Sequence, residues 1–297
     1  MATKIEWVKN QDGTQGKTWN PITGCSKISL GCNNCYAERM AKRLRGRCGY
    51  PSDEPFRVTW RLERLAEPLR WQKPKRVFVC SMGDLFHEDV PTWVIWEAMD
   101  VILQAKQHEF LILTKRPGNM KRFFDWYYNG GGRTTEPLKN LWLGVTAENR
   151  PMWVERVNIL KQLEAAKRFV SYEPALGSLG EVDLSGLDWV LCGGETGPKA
   201  RPMHPDWARS LRDQCQAAGV PFFFKQWGEW APFYDRDKDD PDWRNIPKES
   251  PSVCRTNLAG GHGFHGDRIV YFRKVGKKAA GRLLDGREWN EMPEVAR

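Results

Sequence analysis

A chain of 297 residues, 40% of them hydrophobic, can bury a substantial core as one large α/β domain or as two ordinary ones. No stretch approaches the roughly 18 apolar residues of a membrane span, and the opening Met1-Ala2-Thr3-Lys4-Ile5-Glu6 lacks a signal peptide's apolar core, so the cytoplasm is the expected location. Lysine and arginine outnumber acidic residues 46 to 37, a net charge of +9 that points to a polyanionic partner, with a merely solvated basic surface as the alternative.

In chain order, the first informative segment runs from Trp19 to Tyr36. A short strand is expected near Trp19-Asn20-Pro21, followed by Cys25, Cys32 and Cys35 in the spacing C-x6-C-x2-C. Gly24 and Gly31 directly precede the first two cysteines, which lets backbone approach closely and leaves amide donors free to face cluster sulfurs. The other cysteines, Cys48, Cys80, Cys192, Cys215 and Cys254, are scattered singly and read as ordinary thiols of a reducing compartment. Structural zinc normally takes four protein ligands, and no histidine lies nearer than His87. Three soft thiolates without a fourth partner suit a metal site with one open position, such as an iron–sulfur cluster. A zinc clip or three unrelated buried thiols remain the alternatives at this point. The segment is followed by the basic run Arg39, Lys42, Arg43, Arg45 and Arg47.

From residue 76 a βα rhythm recurs: a short run of β-branched and aromatic residues, a polar cluster, then an amphipathic helix. The predicted strands are Arg76 to Cys80, Phe110 to Leu113, Leu141 to Val145, Arg168 to Val170, Trp189 to Cys192 and Pro221 to Phe224, about seven with the one near Trp19. The predicted helices are Thr92 to Gln104, Gly118 to Tyr128, Met152 to Leu163 and Asp206 to Ala218. Such a series implies a parallel sheet, and right-handed crossovers coil it into a TIM-like, possibly partial, β/α barrel, with a flat doubly wound sheet as the alternative. The runs end in Ser81-Met82-Gly83-Asp84, Thr114-Lys115-Arg116, Thr146-Ala147-Glu148-Asn149, Ser171-Tyr172-Glu173, Gly193-Gly194-Glu195 and Lys225-Gln226, the edge on which barrels carry their sites. Each carboxylate taken singly would serve equally as a helix cap or turn closer. Residues 1–230 are expected to form the barrel with its cysteine loop, and residues 231–297 a C-terminal extension packed on it. In that extension Asp235 to Asp242 reads as a charged loop, Arg268 to Arg273 as a strand and Lys277 to Leu284 as a short basic helix.

Taken together, these blocks resemble the radical S-adenosylmethionine superfamily and, more closely, the often phage-encoded three-cysteine-motif proteins called the Gp37/Gp68 family. The resemblance covers residues 18 to 230 and rests on Thr18-Trp19-Asn20-Pro21 with the three cysteines, Cys80 to Phe86, Thr114 to Pro117, Gly144 to Asn149, Ser171 to Pro174, and Gly193 to Glu195. It departs from the superfamily's usual C-x3-C-x2-C, because Asn34 precedes the last cysteine and the aromatic Tyr36 follows it. The glycine-glycine-glutamate element also falls after about the sixth strand rather than the second.

The resemblance implies a [4Fe-4S] cluster on Cys25, Cys32 and Cys35, with S-adenosylmethionine at the open iron. It further implies that Ser81, Gly83 and Asp84 receive the cofactor's amino group, Lys115 or Arg116 its carboxylate, and Thr146, Glu148 and Ser171 its ribose, with Tyr36 at the rim. Glu173, Glu195 and Lys225 are the candidates for moving a proton or holding substrate; ion pairing within the barrel is the alternative. The implied substrate is a nucleic-acid base or nucleotide, as in phage DNA hypermodification or photoproduct-like repair. The implied reductant is a reductase or flavodoxin-like electron donor, and the location is a host cytoplasm. A non-catalytic, metal-clipped nucleic-acid-binding protein is the competing function.

Overall fold

Strand formation follows the apolar runs closely. Arg76–Val79, Leu141–Thr146, Trp189–Gly193 and Phe222–Gln226 are buried along their whole length, the pattern of strands covered on both faces. The computed structural model describes residues 3, 5–10, 12–236, 247–263 and 269–294. In chain order its elements are β1 (Lys17–Trp19), β2 (Ile22–Thr23), α1 (Tyr36–Arg43), β3 (Thr59–Trp60), β4 (Arg76–Val79), α2 (Thr92–Gln104), β5 (Glu109–Thr114), α3 (Pro117–Trp126), β6 (Leu141–Thr146), α4 (Arg150–Lys161), β7 (Lys167–Tyr172), β8 (Trp189–Gly193), α5 (Pro205–Ala218), β9 (Phe222–Gln226), β10 (Trp230–Arg236), β11 (Val253–Asn257), β12 (Ile269–Lys274) and α6 (Lys277–Ala280). Short 3-10 turns at Leu30–Cys32, Leu62–Arg64 and Pro68–Arg70 complete the first third.

One sheet has the order β1-β4-β5-β6-β7-β8-β9. Pairing is parallel from β1 through β6, with Thr18 opposite Phe78, Val77 opposite Phe110 and Ile112 opposite Leu143, and again between β8 and β9, with Leu191 opposite Phe223. Neighbours in the sheet are neighbours among its strands in sequence, and helices separate most of them. This is the predicted α/β class, a partial TIM-like parallel barrel. Burial of side chains such as Phe110, Leu111 and Ile112 contributes about 1.5–3 kcal/mol each.

The chain divides into two units: residues 1–146 with 155–169, and residues 147–154 with 170–297. In the first, α2 starts where Pro91 holds an extended ψ, and it buries Val94, Ile95, Ala98, Met99, Val101 and Ile102 along one broad apolar stripe. In the second, α5 opens with the His204 side chain accepting from Asp206 N (3.2 Å) and stops at Gly219 in the left-handed region, φ +66°.

The second unit also holds an antiparallel sheet of order β10-β12-β11 over a small core of Ala200, Trp230, Val270 and Phe272. The predicted tail strand is β12, although Arg268 lies outside the described residues. The predicted basic helix is shorter than its sequence suggests. It ends at Ala280 because Gly281 turns the backbone to φ +72°, and Arg282 leaves to donate to the Lys225 and Phe224 carbonyls. Of the predicted charged loop, Asp235 and Arg236 belong to β10, and residues 237–242 lie outside the described residues. No helix of the described residues is long and apolar enough to cross a membrane.

Candidate functional site

The cysteine loop is anchored to the carboxyl end of β4 first through its backbone. Gly24 N donates to Met82 O (2.8 Å), Gly24 bridges Gly83 in parallel, and Cys25 N donates to Phe56 O (3.1 Å). Both glycines are required by this crossing. A Cβ on Gly24 (φ +88°) would stand 2.1 Å from Arg57 O, and one on Gly83 2.9 Å from Gly24 O. Cys80, at φ +55°, turns the chain out of β4, and its N–H donates to Trp19 O (2.8 Å). Asn20 then fixes the next turn, its Oδ1 accepting from Ser81 Oγ (3.2 Å) and Met82 N (2.9 Å). The Trp-Asn-Pro block is thus a clamp for the Ser81-Met82-Gly83-Asp84 strand end. Tyr36, exposed at the start of α1, donates its hydroxyl to Ser81 O.

Asp84 is buried and fully engaged. Its carboxylate accepts from Thr114 Oγ1 (2.7 and 2.9 Å), Phe86 N (3.0 Å), Lys115 N (3.3 Å) and Arg116 Nη1 (3.4 Å), tying the ends of β4 and β5 together. Arg116 spreads its guanidinium over the loop: Nε to both Glu88 oxygens (2.9 and 2.8 Å), Nη2 to Ser26 Oγ (2.8 Å), and Nη1 to Cys25 Sγ (3.3 Å). His87, also buried, meets Ser26 through Nε2, 2.7 Å from Ser26 Oγ. Burial, with the Arg116 charge, holds this imidazole below its ordinary value. His87, Glu88 and Ser26 were not singled out from sequence. The only signal was the position of His87 and Glu88 directly after the Asp84-Leu85-Phe86 block.

All eight cysteines are free thiols, and Cys25, Cys32 and Cys35 are each half-buried. Burial pushes the Cys25 thiol up to about 12, with the Asp84 charge adding and Arg116 opposing. At Cys32 burial works upward too. The Lys115 charge, hydrogen bonds from the Ile28 and Ser29 backbone, and the Ser29 hydroxyl outweigh it, so this thiol lies below its ordinary value. Cys35 occupies the N-cap of α1 without a side-chain hydrogen bond to the helix. Among the described residues, no three His, Cys, Asp or Glu side chains are gathered closely enough to hold a metal ion. Lys115 is half-buried, and its ammonium has no hydrogen-bond or ion-pair partner among the described residues. Thr146, the last predicted group of this unit, is buried at the end of β6, with its carbonyl accepting from Arg156 Nη1 (2.7 Å).

A family profile described as "Protein of unknown function (DUF5131)" matches residues 2–293. The chain belongs to the DUF5131 family. No curated protein matches it significantly. Among solved structures it is similar to a point mutant of spore photoproduct lyase, at 13% identity and a TM-score of 0.42 over 67% of this chain and 72% of that one. It is also similar to a double mutant of the same lyase with bound AdoMet and dinucleoside spore photoproduct, at 12% identity and a TM-score of 0.42 over 86% of this chain and 68% of that one.

In this DUF5131 chain the second unit carries the remaining predicted residues. Lys225 Nζ donates to Glu173 Oε2 (2.7 Å) and Ser171 Oγ (3.0 Å), and Gln226 Nε2 donates to Glu173 Oε1 (2.9 Å). Gly193 makes room, since a Cβ there would stand 3.0 Å from Glu173 Oε1. Glu195 stands apart from this cluster, its carboxylate taken by Arg201 through N, Nε and Nη2 at 2.9, 2.8 and 2.6 Å. Glu148 is fully buried, and its carbonyl accepts from Leu176 N (2.9 Å).

Proposed function

We propose that this DUF5131 chain is a radical S-adenosylmethionine enzyme acting on a nucleic-acid base or nucleotide, with a [4Fe-4S] cluster on Cys25, Cys32 and Cys35. The observation that carries the reading is the thiol loop laid against the carboxyl ends of β4 and β5. There Arg116 Nη1 lies 3.3 Å from Cys25 Sγ and the Lys115 charge acts on Cys32. At Cys32 the Lys115 charge favours the thiolate, the form that ligates iron, whereas at Cys25 burial outweighs Arg116.

The donor types suit the group, three soft thiolates on one loop with every other cysteine of the chain outside it, and binding would have to draw together side chains that are not gathered around a metal position among the described residues. When bound, cluster and cofactor would supply one-electron radical chemistry at an unreactive carbon. The chain's own part is binding and orientation. Asp84 and Arg116 fix the loop, which leaves Lys115, whose ammonium has no partner among the described residues, to receive the cofactor's carboxylate. Tyr36, Ser81 and Gly83 line the same edge. The Lys225–Glu173 pair holds a proton within hydrogen-bond reach of Ser171 Oγ, and Arg201 positions Glu195. The reducing electron comes from a reductase or a flavodoxin-like protein.

Anaerobic reconstitution with iron and sulfide, followed by S-adenosylmethionine and dithionite, tests the reading. It predicts a brown protein that releases 5'-deoxyadenosine, at a rate that changes when duplex DNA or nucleotides are added. A colourless protein that binds zinc, unfolds with chelator and cleaves nothing would instead be the metal clip with a basic nucleic-acid-binding face.

A further inference from the structure

Away from the cysteines, the first unit buries a guanidinium without an acid beside it. Arg61 directly follows β3, is 5% exposed, and is pinned by its backbone N–H, which donates to Pro21 O (2.6 Å). Its Nε donates to the buried Thr23 Oγ1 (3.1 Å), while Nη2 is buried with no hydrogen-bond partner. Among the described residues no carboxylate pairs with Arg61. The nearby acid in sequence, Glu63, is exposed and lies 3.6 Å from Arg64 instead. The Tyr50 ring, 5.3 Å from the guanidinium carbon, is a weak substitute, because leaving water costs a guanidinium more than one ring face returns. Burial, then the Arg64 charge, hold Arg61 below its ordinary value against the opposing pulls of Glu63 and Tyr50.

Further donors meet at the same place. Residues 47–50 form a tight turn in which Tyr50 N donates to Arg47 O (2.9 Å) and Gly46 N to Tyr50 O (3.0 Å). Gly49, exposed and left-handed at φ +78°, is what admits the guanidinium, since a Cβ there would stand 2.1 Å from Arg61 Nη1. Arg64 reaches this turn too, its Nη2 donating to Cys48 O (3.4 Å). The Tyr50 hydroxyl has no hydrogen-bond partner among the described residues. Burial pushes that phenol up, with the Arg61 and Arg64 charges opposing, so it stays a donor at neutral pH. Two guanidiniums and a phenol around one turn, with no carboxylate closing on Arg61, make a donor set for an anion.

We infer that Arg61, Arg64 and Tyr50 form a phosphate-binding site at the turn 47–50, the phosphate group being free or carried by a small phosphorylated metabolite. A tetrahedral dianion offers acceptors to both guanidiniums and the phenol at once, and it cancels the charge that Arg61 brings into the fold. A carboxylate brings a single charge and one plane of acceptors. The site needs neither the three thiols nor a cluster.

Isothermal titration and thermal unfolding of the full chain test the site, in chloride buffer of matched ionic strength with inorganic phosphate, glycerol 3-phosphate or acetate added. Wild type should take up one phosphate and melt higher as phosphate rises, with acetate about tenfold weaker or worse. Arg61→Met should melt at or above wild type without phosphate, because it removes an unpaired buried charge, and should lose about tenfold or more in phosphate affinity together with the phosphate-dependent rise. Arg61→Lys keeps the charge without the fork and should also lose about tenfold, which covers the case of a methionine variant that does not fold. Arg64→Ala should lose less. Tighter binding of glycerol 3-phosphate than of phosphate assigns a carried group and the reverse a free ion, and either supports the site. A wild type that takes up no phosphate, acetate binding as tight as phosphate, or Arg61 variants with wild-type affinity overturn it. Duplex-DNA binding that weakens in Arg61→Lys while wild type takes up no phosphate gives the arginines to nucleic acid and overturns it as well.

Discussion

The two units treat their strand-end charges differently. In the second, Lys225, Glu173, Ser171 and Gln226 close on one another, and Glu195 is saturated by Arg201. In the first, Asp84, Arg116 and Glu88 close in the same manner, but three free thiols and the Lys115 ammonium are left beside them. Charges that satisfy one another hold backbone in place. On the proposed reading these free thiols would hold the redox cofactor in the first unit, and the second unit would be left to support and proton handling.

The sharpest way to break this contrast is Cys32→Ala. Iron content and 5'-deoxyadenosine release should fall to background, while unfolding free energy stays within about 0.5 kcal/mol because the side chain is only half-buried. Retention of iron and cleavage would remove the ligand assignment. Next in size is Asp84→Ala, which strips a buried carboxylate from Thr114, Phe86, Lys115 and Arg116. Urea denaturation should show a loss of about 3–5 kcal/mol.

In the second unit Lys225→Met leaves Glu173 without its cation, at about 1–3 kcal/mol of stability. Substrate-independent cofactor cleavage should be unchanged and substrate conversion lost; loss of both would place this pair in cofactor chemistry and erase the contrast. The smallest effect is expected at Asp285. Burial raises its carboxyl, but hydrogen bonds and charge from Arg209 and Arg212 outweigh this and hold it below the ordinary aspartate range. A depressed carboxyl stabilises the fold above its unfolded value, and that contribution is lost as pH falls through the folded one. Asp285→Asn should therefore cost up to about 1 kcal/mol at neutral pH, since the pair is partly exposed, and the difference from wild type should begin to shrink as pH drops below about 4 and vanish once pH is below the depressed folded value.

Much of this organisation was legible from residues alone. Runs such as Phe110 to Leu113 and Leu141 to Val145 have no other use than doubly covered strands, and Thr92–Gln104 forms the helix its periodicity predicts. The cysteine spacing marks the loop, and Gly24 and Gly83 are where backbone crosses backbone. What escaped is tertiary or too polar for periodicity to mark. Ser26 meets His87 and Arg116 across sequence separations of 61 and 90 residues. Helix α1, with Ala37 and Ala41 as its buried residues, carries no apolar stripe long enough to announce it. The closure of Lys225 onto Glu173 was likewise visible only as two strand endings.

The central claim is that three thiols hold iron with one coordination position open. Electron paramagnetic resonance of the anaerobically reconstituted, reduced protein, recorded before and after S-adenosylmethionine is added, reads that position directly. The account predicts a cluster signal in wild type that shifts on addition and is missing from the Cys25, Cys32 and Cys35 alanine variants. A signal indifferent to S-adenosylmethionine, or one that survives loss of Cys32, would contradict it.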